Sequence, residues 1–396
     1  MEKLYYEDQY IKEFVAEVEE VKEENGRFHV ILDKTAFFPG GGGQSADRGK
    51  IDNHEVIDIY EKDGVVYHVT EKKPIKIHRV KCEIDWNRRF DGMQQHFGQH
   101  VLSGCFYTLF NVNTVSIHLG EKISTVDIEG ILTEEQIRDV EKLANEKISE
   151  AIKVEFLTPT KKELKKLKIR RALPNTEDEI RILKIGDLDI NACCGLHPAS
   201  TIELRHIKIK KFEKNKGNTR IEYLAGTRAI DDALSKDEFA REICKYLSSN
   251  EKEAINSIKN IHEKLSEALS SKLKVEQDIA KYEMKEMLEG AENIQGIALI
   301  EKIYENEDIK YISRLATKLT EEENIVILFA VKNESRVNIV FAASKNIKNI
   351  NVGSMLKDCI TLIDGKGGGG HYLAQGAGKD NGNLENALSY AKNKLK

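Results

Sequence analysis

Two pairs of residues in this sequence have a spacing that chemistry can use. His96 and His100 stand four apart in Gln95-His96-Phe97-Gly98-Gln99-His100. The segment from Arg88 to Phe110 has a helical pattern, so both imidazoles project from one face of one helix. Two ring nitrogens can then reach a single ion at about 2.0–2.1 Å. Ordinary packing also produces this spacing, so the pair alone decides little. Cys193 and His197 are again four apart, in Cys193-Cys194-Gly195-Leu196-His197. Gly195 and Pro198 make that segment a turn rather than a long helix. A turn that sets a thiolate beside an imidazole is a second metal hook. The two hooks make a set of three histidines and one cysteine, which suits Zn2+: borderline-soft, tetrahedral, content with mixed nitrogen and sulfur. Cys194 could ligate in place of Cys193, but the four-residue match favours Cys193. Four protein donors suggest a closed structural site, and a catalytic one keeps a position open unless a ligand gives way or coordination expands. The residue inventory leaves both readings standing.

Other residues could shape a site around such an ion. Thr114, Ser116 and His118 alternate in Thr114-Val115-Ser116-Ile117-His118-Leu119-Gly120, as a strand would place them. They follow the histidine helix and could line its pocket or form a polar outer face. The run Gly40-Gly41-Gly42-Gly43 gives the backbone freedom and close approach, with the Gln44 amide beside it. A plain turn would read the same way. A second glycine-rich stretch, Gly365-Lys366-Gly367-Gly368-Gly369-Gly370, lies near the C-terminus. Neither run ends in the lysine–serine/threonine pair of a nucleotide-triphosphate loop.

The elements that must position these residues suggest four regions. Residues 1–85 hold short alternating segments, such as Phe28, Val30, Leu32 and Val65, Tyr67, Val69, separated by turns such as Asp63-Gly64. This predicts a small antiparallel β-barrel. Residues 86–231 mix the histidine helix, a second helix over Thr133 to Ile152 and strand-like runs around 153–157, 181–185 and 201–210. Thr133 followed by Gln136 has capping-box spacing. Residues 232–289 are polar and helix-favouring, with Ile255, Ile258, Ile261, Leu265 and Leu269 at three- and four-residue steps. That pattern predicts an amphipathic helix or helical hairpin, with a dimer seam and packing within the chain as equal readings. Residues 290–396 alternate strand and helix, with strands at Ile325–Phe329 and Val337–Phe341 and a last helix from about Leu384. The fold class is α+β, multidomain.

Bulk composition narrows the function. The chain has 396 residues, 40% of them hydrophobic, and a net charge of −5. No run approaches the ~18 apolar residues of a membrane span, and the charged start MEKLYYEDQYIKEF has no apolar signal core, so a cytoplasmic protein is expected. Six cysteines in so long a chain do not form a disulfide framework. The acidic balance argues against uniform coating by nucleic acid but allows a local basic face. Lys161, Lys162, Lys165, Lys166, Lys168, Arg170 and Arg171 oppose only Glu163, and Lys208, Lys210, Lys211, Lys214 and Lys216 form a second run. Either serves phosphate only where it flanks a site; otherwise both are solvated surfaces.

The motifs resemble one known family. Arg88 to Ser103, with its two histidines, resembles the zinc helix of the AlaX family, free-standing relatives of the editing domain of alanyl-tRNA synthetase. Ile185-Gly186-Asp187 with Cys193 to His197 resembles that domain's second zinc motif, here with Cys194, Gly195 and Leu196 between the ligands where small polar residues are usual. Phe37 to Gly49 resembles the glycine-rich loop of the family's N-terminal barrel, and Gly365 to Gly370 with Ala374 to Gly378 resembles the C-terminal domain associated with DHH proteins. Four motifs in the same order cover nearly the whole chain, in the layout of the long form.

The resemblance implies zinc-dependent hydrolysis of mischarged alanine tRNA in trans, chiefly the seryl form and in some members the glycyl form. It assigns the metal to His96, His100, Cys193 and His197. Beside it, strand alternation makes Thr114 and Ser116 candidate pocket groups, and the glycine run puts Gly41, Gly42 and Gln44 near the terminal ribose or phosphate; for Lys366, Gly367, Gly368, Gly369 and Gly370 the resemblance favours RNA contact. A homodimer through the helical linker or the C-terminal domain is a further expectation. Two alternatives stand beside this: an RNA-binding protein with structural zinc, and a metal-dependent phosphoesterase. The Asp-His-His triplet of the latter is absent from the sequence. A full synthetase is disfavoured, because a small N-terminal β domain leaves no room for aminoacylation.

Overall fold

Alternation of apolar and polar residues governs the N-terminal segment. In β1 (Glu13–Glu24) Phe14, Ala16 and Val18 are buried while Glu13, Val15 and Glu17 face out. In the computed structural model β1 and five more strands close into a six-stranded ring: β2 (Arg27–Leu32), β3 (Gly49–Ile51), β4 (His54–Lys62), β5 (Val65–Thr70) and β6 (Arg79–Ile84), ordered β1-β2-β5-β4-β3-β6. Two of its hairpins turn at Asn25-Gly26 and Asp63-Gly64, both residues of each at positive φ, which matches the twist of the flanking strands. The structure describes residues 1–73, 79–174, 179–334, 336–379 and 382–395. It divides into two units, Met1–Ile243 and Cys244–Lys396.

The ring leads into α1 (Trp86–Phe110), whose first turn is capped by the Asp85 carboxylate accepting from Arg88 N at 3.1 Å. The helix ends at Asn111 in the left-handed conformation. Two strands, β7 (Thr114–Leu119) and β8 (Ser124–Ile128), precede α2 (Glu134–Ser149), where Thr133 and Gln136 form the capping box that their spacing predicts. A three-stranded antiparallel sheet follows, from β9 (Val154–Leu157), β10 (Ile182–Ile185) and β11 (Asp189–Ala192). The strand expected around 201–210 is split. Thr201–Leu204 is a 3-10 turn, and β12 (Ile207–Asn215) begins after it. With β13 (Asn218–Ala225), it builds the sheet β12-β13-β8-β7.

α1 is buried along most of its length because it lies between these sheets. Gly98 sits where an added Cβ would meet Ala225 Cβ at 2.6 Å, and Gly104 where it would meet Leu188 O at 2.8 Å. Two glycines inside a helix cost roughly 1 kcal/mol each relative to alanine; here they let strand and turn approach its axis. Buried amides then lock the helix: Gln95 Nε2 donates to Ala225 O at 2.7 Å while Gln95 Oε1 accepts from Ala225 N at 3.1 Å. Arg89 pins α1 to the glycine-rich segment, its Nε donating to Asp47 Oδ1 at 2.8 Å and its Nη2 to Ala36 O at 2.6 Å.

The region expected to be one helix or a hairpin is two helices, α3 (Thr227–Tyr246) and the long α4 (Glu251–Glu289), with a break at residues 247–250 and Asn250 as the cap of the second. The second unit is a six-stranded sheet of β14 (Glu292–Ile294), β15 (Ile297–Glu305), β16 (Ile325–Lys332), β17 (Val337–Ala343), β18 (Lys366–Gly369) and β19 (Leu373–Gly378), ordered β14-β15-β16-β17-β19-β18. Both faces of β16 are covered, which explains its unbroken apolar run. Ile325, Ile327, Phe329 and Val331 join a core that includes α5 (Ile309–Leu319) and Met287 of α4. Val326, Leu328 and Ala330 join one with α6 (Val352–Cys359) and α7 (Leu384–Asn393). The second glycine-rich stretch forms the edge strand β18. An added Cβ at Gly367 would meet Gly376 Cα at 2.5 Å, so those glycines serve close strand packing. No helix among the described residues is long and apolar enough to cross a membrane.

Candidate metal centre

The helix and the turn meet. One ligand atom each from His96, His100, Cys193 and His197 lie within 4.8 Å of one another. Cys193 Sγ is 3.4 Å from His96 Nε2 and 3.5 Å from His197 Nε2. A tetrahedral ion with metal–sulfur and metal–nitrogen bonds of about 2.3 and 2.05 Å holds sulfur and nitrogen about 3.6 Å apart. The donors are thus already at coordination spacing, although Cys193 and His96 are 97 residues apart in sequence. The cluster could hold a metal ion. His100 Nε2 is buried and has no hydrogen-bond partner among the described residues, which fits a nitrogen that ligates a metal.

Neighbouring side chains aim the ligands. His100 Nδ1 lies 2.9 Å from Asp189 Oδ2, so His100 points its Nε2 toward the cluster. His96 Nδ1 is 3.3 Å from Gln44 Oε1, which also accepts from Leu196 N at 3.0 Å. Backbone crowding completes the seat. An added Cβ at Gly195 would lie 2.3 Å from His96 Cε1, and one at Gly42, with φ +61°, would lie 2.9 Å from that same atom. Burial opposes the Cys193 thiolate, but the imidazoles of His96, His197 and His100 outweigh it and hold the thiol well below its ordinary value of 9.0. Burial likewise opposes charge on Asp189, but its contacts with His100 and Arg170 keep its pKa low.

A cavity of about 1050 Å³ opens on the cluster. His96, His100 and Cys193 line it together with Gly42, Gly43, Gln99 and Ile117, while His197 is fully buried behind them. The sequence-derived candidates divide here. Gly42 reaches the cavity; Gly41 lies beside it, against Cys194. Gln44 is 5% exposed and supports His96 and the metal turn from behind, and it is not among the cavity-lining residues. Ser116 is also absent from the lining: its hydroxyl donates to Asp127 Oδ2 at 2.7 Å, in a cluster with Arg220. On β7 it is Ile117, of the opposite parity, that faces the cavity. Thr114 is buried and donates to Ser103 Oγ at 2.6 Å, and Gln99 Nε2 donates to the same oxygen at 2.7 Å. Thr114 itself does not line the cavity; the shared Ser103 oxygen links it to Gln99, which does.

Comparison with known proteins decides the family. The chain is 30% identical over 389 residues to the alanyl-tRNA editing protein AlaX-L of Pyrococcus horikoshii, covering 95% of this chain and 94% of that one. The chain belongs to the AlaX family. A second relative, alanyl-tRNA editing protein Aarsd1-B of Xenopus laevis, is 28% identical, with 91% of this chain and 90% of that one covered. The alanine–tRNA ligase of Methanobrevibacter smithii matches at 28% over 98% of this chain but only 45% of its own length. Family models match in sequence order: class II (A) tRNA synthetases over residues 2–88, the threonyl and alanyl tRNA synthetase second additional domain over 180–222, and the DHHA1 domain over 295–396.

Asp189 and Arg181 around this AlaX cluster escaped the sequence reading, and Gln44, named there beside the glycine run, was not linked to His96. Asp189 and Gln44 stand 89 and 52 residues from the histidines they orient, and no local spacing marks them. Arg181 also carries no motif. Its guanidinium lies 4.6 Å from the Tyr6 ring centroid and 4.5 Å from that of Phe156, and its Nη1 donates to Gly195 O at 2.7 Å. Gln99 was in view between the two histidines, but only the fold shows that it lines the cavity.

Proposed function

We propose that this chain is a trans-acting aminoacyl-tRNA deacylase. It removes the wrong amino acid, serine foremost and glycine second, from tRNA(Ala) by zinc-dependent ester hydrolysis in the cytoplasm. The observation that carries this reading is the convergence of His96, His100 and Cys193 on the wall of one large cavity, with His197 sealed behind them, in a chain of the AlaX family. Zn2+ held by these four residues would supply Lewis acidity toward the ester carbonyl or a bound water, or would orient the amino acid.

The chain's own residues prepare that seat. Asp189 and Gln44 fix the rings of His100 and His96 so that neither has to reorganise when substrate arrives. Gly42 and Gly195 give the space in which His96 sits. The glycine loop at Gly41 and Gly42 would then border the acylated ribose. In the second unit, exposed Lys366 and the edge strand through Gly367, Gly368 and Gly369 to Gly370 would face RNA. Rejection of alanyl-tRNA needs a polar group that is left unpaired when the serine hydroxyl is missing. Gln99, locked through Ser103 and Thr114, is the cavity amide placed for that task. We assign residues 1–85, 86–231, 232–289 and 290–396 to the barrel, editing, linker and RNA-binding parts.

The test is incubation of the purified protein with seryl-, glycyl- and alanyl-charged tRNA(Ala), with and without a chelator. We expect release of serine, slower release of glycine, alanine left in place, and loss of activity on chelation. Equal release of all three, or full activity without metal, would refute the reading. An RNA-binding protein with purely structural zinc would release nothing.

A further inference from the structure

The two basic runs end in different surroundings. The second is largely spent on protein contacts: Lys208 pairs with Glu141, Lys210 with Asp232 and Lys211 with Glu213. The first leads to the cavity. Lys161, Lys162, Lys165, Lys166 and Lys168 are exposed, and among the described residues none of them has a carboxylate partner. The run ends at Arg170 and Arg171, both of which line the cavity. Hydrogen bonds place this end on β11, the strand that leads to Cys193: Arg170 N donates to Ile190 O at 3.0 Å, and Arg171 N to Asn191 Oδ1 at 3.1 Å. On the other edge of β11, Cys193 N donates to Arg181 O at 3.0 Å. Arg170 and Arg181 therefore flank the strand that delivers the cysteine.

Both guanidinium groups have capacity to spare. Arg170 has a side chain only 4% exposed and gives its Nε to Asp189 Oδ1 at 2.7 Å. Its Nη1 is buried and has no acceptor among the described residues. Arg181 lines the same cavity with two aromatic rings and one carbonyl as neighbours, and no carboxylate pairs with it among the described residues. Two underused guanidinium groups at the end of a lysine track form an anion site, and their forks suit phosphate oxygens.

We propose that Arg170 and Arg181 bind the phosphodiester just before the acylated nucleoside, and that Lys161–Lys168 guide the preceding phosphates of the single-stranded RNA end. Arg170 also holds Asp189, which holds His100, so the residue that takes the phosphate braces a metal ligand. The inference rests on the RNA substrate proposed above.

The test uses the whole protein and an uncharged hairpin of the tRNA(Ala) acceptor stem with its single-stranded end, with affinity read by fluorescence anisotropy. A matching hairpin carries a neutral methylphosphonate at the last linkage. Wild type should bind the neutral hairpin about tenfold more weakly. Arg170→Gln should bind the normal hairpin about tenfold more weakly and no longer distinguish the two, while Arg170→Lys should recover part of the loss. Removing Lys165, Lys166 and Lys168 together as glutamines should weaken binding and flatten its salt dependence; the same change at Lys208, Lys210 and Lys211 should do neither. Metal content and melting temperature are measured for each variant, and Arg181→Lys repeats the comparison independently of Asp189.

A wild type that hydrolyses seryl-tRNA(Ala) yet binds both hairpins alike overturns this phosphate site and leaves the deacylase standing. So does an Arg170→Gln protein that still discriminates as wild type does. A wild type that neither binds the hairpin nor hydrolyses the charged RNA overturns both.

Discussion

At the scale of single residues, the candidate metal centre is held by groups outside the four-residue cluster. Asp189→Asn keeps the shape but weakens the acceptor for His100 Nδ1, so metal affinity should fall about 10- to 100-fold in a chelator competition. Gly195→Ala would press a methyl group into the His96 ring, and the purified variant should lose its metal while the rest of the chain stays folded. Ser116 points to Asp127, so Ser116→Ala should leave the rate on seryl-tRNA(Ala) within about twofold of wild type. A buried histidine far from the metal sets a pH limit. Burial lowers the pKa of His68 from 6.5 to about 4, and its two ring nitrogens match the neutral form, with Nδ1 3.0 Å from Val30 O and Nε2 2.8 Å from the Thr35 hydroxyl. The folded state thus disfavours the proton that the unfolded chain takes up below about 6.5. Stability should be complete above pH 6.5 and fall as the pH drops toward 4, by about 3 kcal/mol in all. Urea unfolding at steps between pH 7 and 4 measures it, and His68→Gln should flatten that slope.

At the scale of elements, α1 and α4 are opposites. α1 is enclosed, and its pinning by Arg89 to Asp47 is a buried ion pair, with Arg89 1% and Asp47 3% exposed. Asp47→Ala would strand the guanidinium and should cost about 3–5 kcal/mol in chemical denaturation. α4 buries only Ala254, Ala280 and Met287 and leaves an apolar stripe in solvent, with Ile255 at 62%, Leu265 at 58% and Leu269 at 54% exposed. Such a stripe suits a second copy of the same helix. Light scattering should report a dimer for the wild type and a monomer when Leu265 and Leu269 are both changed to Glu. A wild-type monomer at micromolar concentration would remove the dimer seam.

At the scale of the whole molecule, the four candidate metal donors all belong to the unit Met1–Ile243. Calorimetry of the full chain should therefore show chelation lowering the transition of the first unit and leaving that of the second in place. The two units also differ in how they can be read. β16 is legible as a buried strand because both of its faces are apolar, and α2 because its cap and box are written in four consecutive residues. The glycine-rich stretch at 366–369 was not, because glycine fits a loop and a strand equally well and only contact with Gly376 selects the strand.

The sequence by itself marked the four candidate donors, since spacing of four on a helix and in a turn is local geometry and the chemistry of histidine and cysteine does not depend on the rest of the chain; that they meet is a finding of the fold. The family was legible in another way, through the resemblance of four motifs in one order, and the match to AlaX-L bears it out. Tertiary structure alone decided which neighbours face the donors. Alternation along β7 shows that Ser116 and Ile117 lie on opposite faces but not which face meets the cavity; the pairing of that strand with β8 settles it. The same holds for Asp189, Gln44, Arg170 and Arg181, whose partners lie tens of residues away or across a strand, where only the folded chain brings charge and acceptor together.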